Sequence, residues 1–244
     1  MNNKKHVSLK DLAEELGVSV STVSRALKDS PEIGEEMRER VKKLAGEWNY
    51  RPNPFAISLL KNNPRIIGII VPDIVTHFYS SIISGISDVA RKNHYSVIIT
   101  SSYEQYELEK QCVEDLMNIR VEGIIACISQ ETTDYAHFES LIMQRVPLVF
   151  FDRVCLHGRC SCVVADNAES GKAATEHFLH HGAKRIGFIG GANHLDIVKQ
   201  RKHGYLDALR QYQIPIEREL IVCEKMTYEE AVSYTHLTLP TTER

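Results

Sequence analysis

The segment Val7–Leu27, VSLKDLAEELGVSVSTVSRAL, admits few folds. Ser8 followed three residues later by Asp11 is a capping-box pattern and places a helix start just before Leu9. Leu9, Leu12, Ala13 and Leu16 recur at helical spacing and give that helix one apolar side. Gly17 stands where the helix must stop, because glycine enters the left-handed conformation without steric cost. Ser19 then caps a second helix in which Val23 and Leu27 face inward, leaving Val20, Ser21 and Arg25 pointing outward. That layout is a helix-turn-helix, whose second helix can lie in the major groove of DNA. Taken alone, the stretch also fits a generic helical hairpin.

Beyond the breaker cluster Asp29-Ser30-Pro31, a third helix is expected from about Glu35 to Trp48. Met37, Val41, Leu44, Ala45 and Trp48 fall at i, i+4, i+7, i+8 and i+11, a continuous apolar stripe. In the run NYRPNPFAISLLKNNP, Asn53 is a good N-cap and Pro54 suits the first helical position, where its missing N–H costs nothing. Phe55, Ala56, Leu59 and Leu60 give an apolar edge to a helix of about two turns. So short a helix is unstable alone in water and needs a partner to hold it. An ordinary interdomain linker is the alternative.

Residues 7–60 resemble the DNA-binding headpiece of the lactose-repressor/galactose-repressor family of bacterial transcription regulators. The resemblance is carried by Val7, Asp11, Ala13, Gly17, Val18, Ser19, Thr22-Val23-Ser24-Arg25, Asn49-Tyr50, Arg51-Pro52-Asn53, Ala56 and Leu59. It implies that Val20, Ser21 and Arg25 read bases and that Ser19, Thr22 and Ser24 contact phosphates. It further implies that Asn53, Ala56 and Leu59 belong to a minor-groove hinge helix, with Leu59 as the wedge. An apolar wedge unstacks a base step and kinks the duplex. Arginine to guanine is the commonest specific contact, which makes Arg25 the firmest base-reading candidate.

The chain has 244 residues, of which 43% are apolar, enough for one sizeable core beyond a headpiece. Its net charge of −3 at first argues against nucleic acid. Residues 1–62 nevertheless hold eleven Lys/Arg and nine Asp/Glu, a net of +2, which leaves −5 for the rest. The asymmetry has the right sign and is weak, so specific contacts must act beside general attraction. The N-terminus MNNKKHVSLKDL lacks an apolar signal core, and no run reaches the ~18 apolar residues of a membrane span, so a cytoplasmic location is expected. The six cysteines are then expected reduced. Cys155, His157, Cys160 and Cys162 cluster without a standard zinc spacing and are read as a solvent-facing connecting loop, with no metal and no cofactor expected. Cys112, Cys127 and Cys223 sit in apolar runs and read as core. His177, His180 and His181 read as surface residues.

From Ile66 onward, apolar runs (IIGIIVP, YSVIITSS, VEGIIACI, VPLVFFD, SCVVAD, RIGFIGG, ELIVCE) alternate with amphipathic stretches. The helical candidates are Phe78–Asn93, Gln105–Arg120, Asp134–Gln144, Ala168–Gly182 and Asp196–Tyr212. Such alternation indicates α/β architecture with parallel sheets covered on both faces. Ligands bind beyond the carboxyl ends of such strands. Asp73 and Phe78, Asp152 and Arg153, and Asp166 and Asn167 follow the first, fourth and fifth strands, and Arg201 lies in the helix after the sixth. Carboxylates, an amide, an arginine and an aromatic suit a sugar or similar polar metabolite, although Asp166 and Asn167 serve equally well as helix caps.

This region resembles the family's two-lobed, periplasmic-binding-protein-like sensor, which implies effector-binding roles for Asp73, Phe78, Asp152 and Arg201. The implied organisation is a headpiece at 1–52, a hinge at 53–64 and a sensor at 65–231, with a first lobe at about 65–153 and a partial second lobe at about 162–231. By that resemblance more chain is expected after Glu224. The string VSYTHLTLPTTER at 232–244 resembles a translated sequencing adapter and is expected to be non-native.

There is no G-x-S-x-G elbow and no G-x-G-x-x-G after the first strand, and Ser170-Gly171-Lys172-Ala173 lacks the earlier glycine of a phosphate loop, so no enzyme is expected. The expected function is a ligand-responsive repressor that binds a pseudo-palindromic double-stranded operator as a homodimer, with a sugar-like effector and no membrane. The alternatives are a monomeric fragment with weak, unregulated DNA binding, and a sugar-binding protein without DNA function.

Overall fold

The structure is a computed structural model that describes residues 7–50 and 64–224. The expected hinge residues Asn53, Ala56 and Leu59 and the expected tail at 232–244 lie outside the described residues. The chain divides into two units, Met1–Pro64 and Arg65–Arg244.

In the first unit, α1 spans Leu9–Leu16, α2 Val20–Ala26 and α3 Glu35–Glu47. Asp11 N donates to Ser8 Oγ at 3.2 Å while Ser8 N donates to Asp11 Oδ2 at 2.9 Å, so the capping box closes from both sides. Gly17 adopts φ 64°, ψ 31°, and the following Val18 N donates to Ala13 O at 3.0 Å, which stops α1 and turns the chain. Ser19 Oγ accepts from Thr22 N at 3.1 Å and starts α2. No side chain caps α3, but Glu35 and Glu36 place negative charge in its first turn, where the helix dipole favours it. Leu12, Ala13, Val23, Ala26, Val41 and Ala45 form the buried core, ringed by Leu16, Ile33, Met37, Leu44, Trp48 and others. The inward position expected for Leu27 is shared: Ala26 is fully buried and Leu27 is half-buried at the end of α2.

The second unit begins with β1 (Ile66–Val71), α4 (His77–Lys92), β2 (Ser96–Ser101), α5 (Tyr106–Ile119), β3 (Gly123–Ala126), α6 (Ala136–Met143), β4 (Leu148–Phe151) and β5 (Ser161–Val163). The five strands form one parallel sheet in the order β2-β1-β3-β4-β5. Central β1 pairs Ile66 with Ser96 through Val71 with Ser101 on one side, and Ile67 with Gly123 through Ile70 with Ala126 on the other. Its residues alternate between two cores. Ile66 and Ile70 join Leu116, Ile124, Phe138 and Phe150, whereas Ile69 and Val71 join Tyr79, Cys127 and Phe151. Gly68 interrupts the apolar strand because a Cβ there would lie 2.6 Å from Leu116 Cδ1, so glycine lets α5 approach the sheet.

Then follow α7 (Asn167–His180), β6 (Phe188–Gly190), α8 (Asp196–Gln211), a 3-10 turn at Arg218–Leu220 and β7 (Ile221–Cys223). β6 and β7 pair in parallel as a two-stranded sheet. The late apolar runs yield shorter strands than their length suggests. ELIVCE gives only Ile221–Cys223, and SCVVAD gives an edge strand with Ser161, Cys162 and Val163 all exposed. Val163, Val164, Phe178 and Ile189 are exposed as well, so this part of the chain leaves apolar surface uncovered. The cysteine-bearing loop also departs from expectation. Cys155 is buried rather than solvent-facing, because the segment after β4 folds back onto the first core. Cys112 and Cys127 are buried as expected, and Cys223 is half-buried.

Candidate functional site

Two groups of the expected residues are assembled by the fold, one on each unit. On the first, the core is filled by Val23 and Ala26 of α2. At about 100° per residue, Ser21 and Arg25 then fall on the far side of the helix and Val20 on its flank, and all three are exposed. Val20, a β-branched apolar residue, is left 43% in solvent. Ser19 Oγ lies 2.7 Å from Ser21 Oγ and 2.8 Å from Thr22 Oγ1, which clusters three hydroxyls at the N-terminus of α2. Hydroxyl donors beside the positive end of a helix suit a phosphate oxygen. Ser24 is half-buried on the same short helix.

On the second unit, the carboxyl ends of the strands converge. Asp152 follows β4 in the left-handed region at φ 57°, and its N–H donates to Val163 O at 3.0 Å, which pins it between β4 and β5. Burial raises the Asp152 carboxyl above its usual range, and the charges of Arg153 and Arg201 oppose that shift. Asp152 and Arg201 are therefore within electrostatic reach although 49 positions separate them in sequence. Arg201 Nε donates to Asn167 Oδ1 at 2.9 Å, and the buried Asn167 amide donates to Ala165 O at 3.1 Å. Asp166, by contrast, caps α7 by accepting from Glu169 N at 2.9 Å.

The approach of Arg201 to Asn167 depends on two glycines. A Cβ on Gly204 would lie 1.9 Å from Ala168 O, and one on Gly171 would lie 2.3 Å from Arg201 O. Thus α7 and α8 pack backbone against backbone.

Asp73 and Phe78 are placed differently. Asp73 Oδ1 accepts from Val75 N at 2.9 Å and Oδ2 from Thr76 N at 3.1 Å, so its carboxylate forms the turn that opens α4. Phe78 is half-exposed and stacks edge-on against Tyr79 at 5.1 Å, which in turn meets Phe151 at 6.4 Å.

At the same strand ends Arg153, expected there, meets Glu104, which sequence reasoning missed. Arg153 Nη1 contacts both carboxylate oxygens of Glu104, at 2.9 and 2.7 Å, and Glu104 Oε2 also accepts from Gln130 N at 2.6 Å. Burial works most strongly against the Arg153 charge, but the hydrogen bonds to Glu104 and the charges of Tyr79, Glu104 and Cys127 together outweigh it and hold the guanidinium protonated more firmly than usual. Deeper in, the fully buried Glu109 accepts from Ser129 N, from Thr132 Oγ1 at 2.8 Å and pairs with His137 Nε2 at 2.8 Å. Glu109 sits on a helix whose amphipathic pattern reads as solvent-facing there, Glu104 in the turn before that helix, and no local signal marks either.

Residues 1–53 match the family described as bacterial regulatory proteins, lacI family, and residues 65–238 match the periplasmic binding proteins and sugar binding domain of LacI family. The HTH-type transcriptional regulator MalR of Streptococcus pneumoniae is 34% identical over 220 residues, covering 88% of this chain and 66% of that protein. The ribose operon repressor of Bacillus subtilis is 34% identical over 210 residues, covering 86% and 62%. The chain therefore spans slightly less than two thirds of the length of these curated relatives. Among solved structures, the lac repressor dimer bound to operator and the anti-inducer ONPF matches with a TM-score of 0.68 and 25% identity, over 90% of this chain and 65% of that one.

Proposed function

The chain belongs to the lacI family of bacterial regulatory proteins, and we propose from this that it is a ligand-responsive, sequence-specific DNA-binding repressor. The observation that carries the reading is the capped second helix, which packs Val23 and Ala26 inward and presents Val20, Ser21 and Arg25 to solvent. In this reading Arg25 takes guanine O6 and N7, Val20 contacts a base through its methyls, and Ser21 adds a polar contact. Ser19, Thr22 and Ser24 hold phosphates and set the register. Asn53, Ala56 and Leu59 are assigned to a hinge that enters the minor groove when two copies meet on a pseudo-palindromic operator.

Dimerisation is supported by an apolar groove of about 400 Å³ on the first lobe, lined by Ile74, Ser80, Ile83, Ile99, Ser101 and Tyr103. Ile74, Ile99 and Tyr103 are all exposed there, an unusual cost for a lone subunit. The place of action is the cytoplasm, where operator DNA is found. Among the described residues no helix is long and apolar enough to cross a membrane.

The effector is assigned to the class of sugars and similar polyhydroxy metabolites, held by Asp152 and Arg201, with Asp73 and Phe78 at the rim. A carboxylate and a guanidinium set against a buried amide offer matched acceptors and donors for vicinal hydroxyls. The naming of one relative for the ribose operon favours the same class. An effector touching both lobes changes the operator affinity through a coupling of typically ~1–3 kcal/mol.

The test is selection of duplexes from a randomised pool by the whole chain, followed by binding assays on the enriched sequence. Arg25→Ala should weaken binding to that sequence by about 1–3 kcal/mol and relax the preference at one base pair. Equal weakening on every duplex would make Arg25 a phosphate contact, and no enrichment at all would sink the DNA-binding reading.

A further inference from the structure

The Arg25 guanidinium does not stand free on α2: its Nη1 lies 2.8 Å from Glu32 Oε2, with the two side chains 59% and 66% exposed. Glu32 belongs to the connection between α2 and α3, and that connection is fixed by its own bonds. Lys28 N and Ser30 N both donate to the Arg25 carbonyl at 3.1 Å, and Ile33 N donates to Ser30 O at 3.2 Å. Asp29 takes a left-handed conformation at φ 55° and is ion-paired to Lys42 of α3. Ile33, next to Glu32, packs against the headpiece core. The loop therefore returns a carboxylate to the same arginine whose carbonyl anchors it.

An arginine side chain has many rotamers, and a base contact must select one of them. Its guanidinium carries five donors in a planar fork. An ion pair through Nη1 engages one corner of that fork, and the edge formed by the other nitrogens has the spacing that guanine O6 and N7 require. On the reading of α2 as the DNA-reading helix, we propose that Glu32 is a positioning residue. It orients the Arg25 guanidinium before DNA arrives and thereby sharpens the choice of guanine at one base pair.

The readout is a ratio, because removing a negative charge near DNA tightens binding to every duplex alike. Affinity of the whole chain is measured on a duplex enriched from a randomised pool and on the same duplex with the guanine pair that Arg25 reads inverted. Glu32→Gln should lower the ratio of the two affinities by up to about fivefold, the ceiling for an exposed ion pair. It should leave the ratio unchanged in an Arg25→Ala background, and the effect should shrink as salt is raised. An unchanged ratio with uniformly tighter binding would reduce Glu32 to a phosphate-repelling charge and overturn the proposal. A higher ratio would overturn it too, by making Glu32 a competitor for Arg25. If the unsubstituted chain enriches no duplex, the DNA-binding reading itself fails, a result that none of the other outcomes resembles.

Discussion

Asp152 is half-buried beside two arginines that only partly offset the cost of its charge, since its carboxyl is still raised above the ordinary value. An acid raised on folding binds protons more tightly in the folded chain than in the unfolded one. The penalty is therefore absent below the unfolded value of 3.8 and grows as pH rises through it toward the folded value. Asp152→Asn should accordingly melt higher than the parent at pH 7, and the gap should close near pH 3. Equal melting at both would mean that Arg153 and Arg201 fully offset the burial. The thiols offer a second check at this scale. Burial pushes Cys127 up to about 12, while Cys162 is exposed on the edge strand. Iodoacetamide at neutral pH should label Cys162 early and Cys127 only on unfolding, as read by mass spectrometry of the peptides; early labelling of Cys127 would show that this core opens. The sequence showed Asp152 as a candidate because a charged residue just past an apolar run stands out, whereas Arg201, inside the helix after the sixth run, stood out through the family resemblance. It concealed the Glu104–Arg153 pair and the buried Glu109, whose partners lie 49 positions away and 20 to 28 positions away.

Among the elements, the helix pair α7 and α8 is the most constrained. With a Cβ on Gly204 placed 1.9 Å from the Ala168 carbonyl oxygen, Gly204→Ala must push the helices apart. Overpacking of this kind costs about 1–3 kcal/mol, and the loss should appear in thermal melts. The same shift moves Arg201 from Asn167, so the variant should also respond more weakly to effector than an alanine at exposed Gly85, where a Cβ meets nothing. Gly17→Ala introduces a side chain at φ 64° and should destabilise the headpiece by about 1–2 kcal/mol without touching the second unit. An unaltered headpiece melt would mean that the turn relaxes. Most elements were legible beforehand for local reasons: the Ser8–Asp11 box, Gly17, and apolar runs separated by amphipathic stretches. What stayed hidden was tertiary. Apolar Val163 and Val164 read as a buried strand, yet they are exposed at a sheet edge, because periodicity reports what a residue could bury and not what covers it.

For the molecule as a whole, the chain's only tryptophan, Trp48, packs against the headpiece core. Among the described residues that core holds six buried residues, against nineteen in the larger cluster of the second unit. So small a core confers little stability. On heating, Trp48 emission should therefore shift before most of the far-ultraviolet circular dichroism is lost; coincident transitions would show that the two units unfold together. The second unit has the opposite character at the ends of its strands. Arg153, following β4, clasps Glu104 beyond β2, and Glu104 in turn holds the Gln130 amide beyond β3. A rim braced this way already has the shape that a bound molecule would meet. Little ordering entropy is lost there on binding, and competing ligands should differ chiefly in how long they stay rather than in how quickly they arrive.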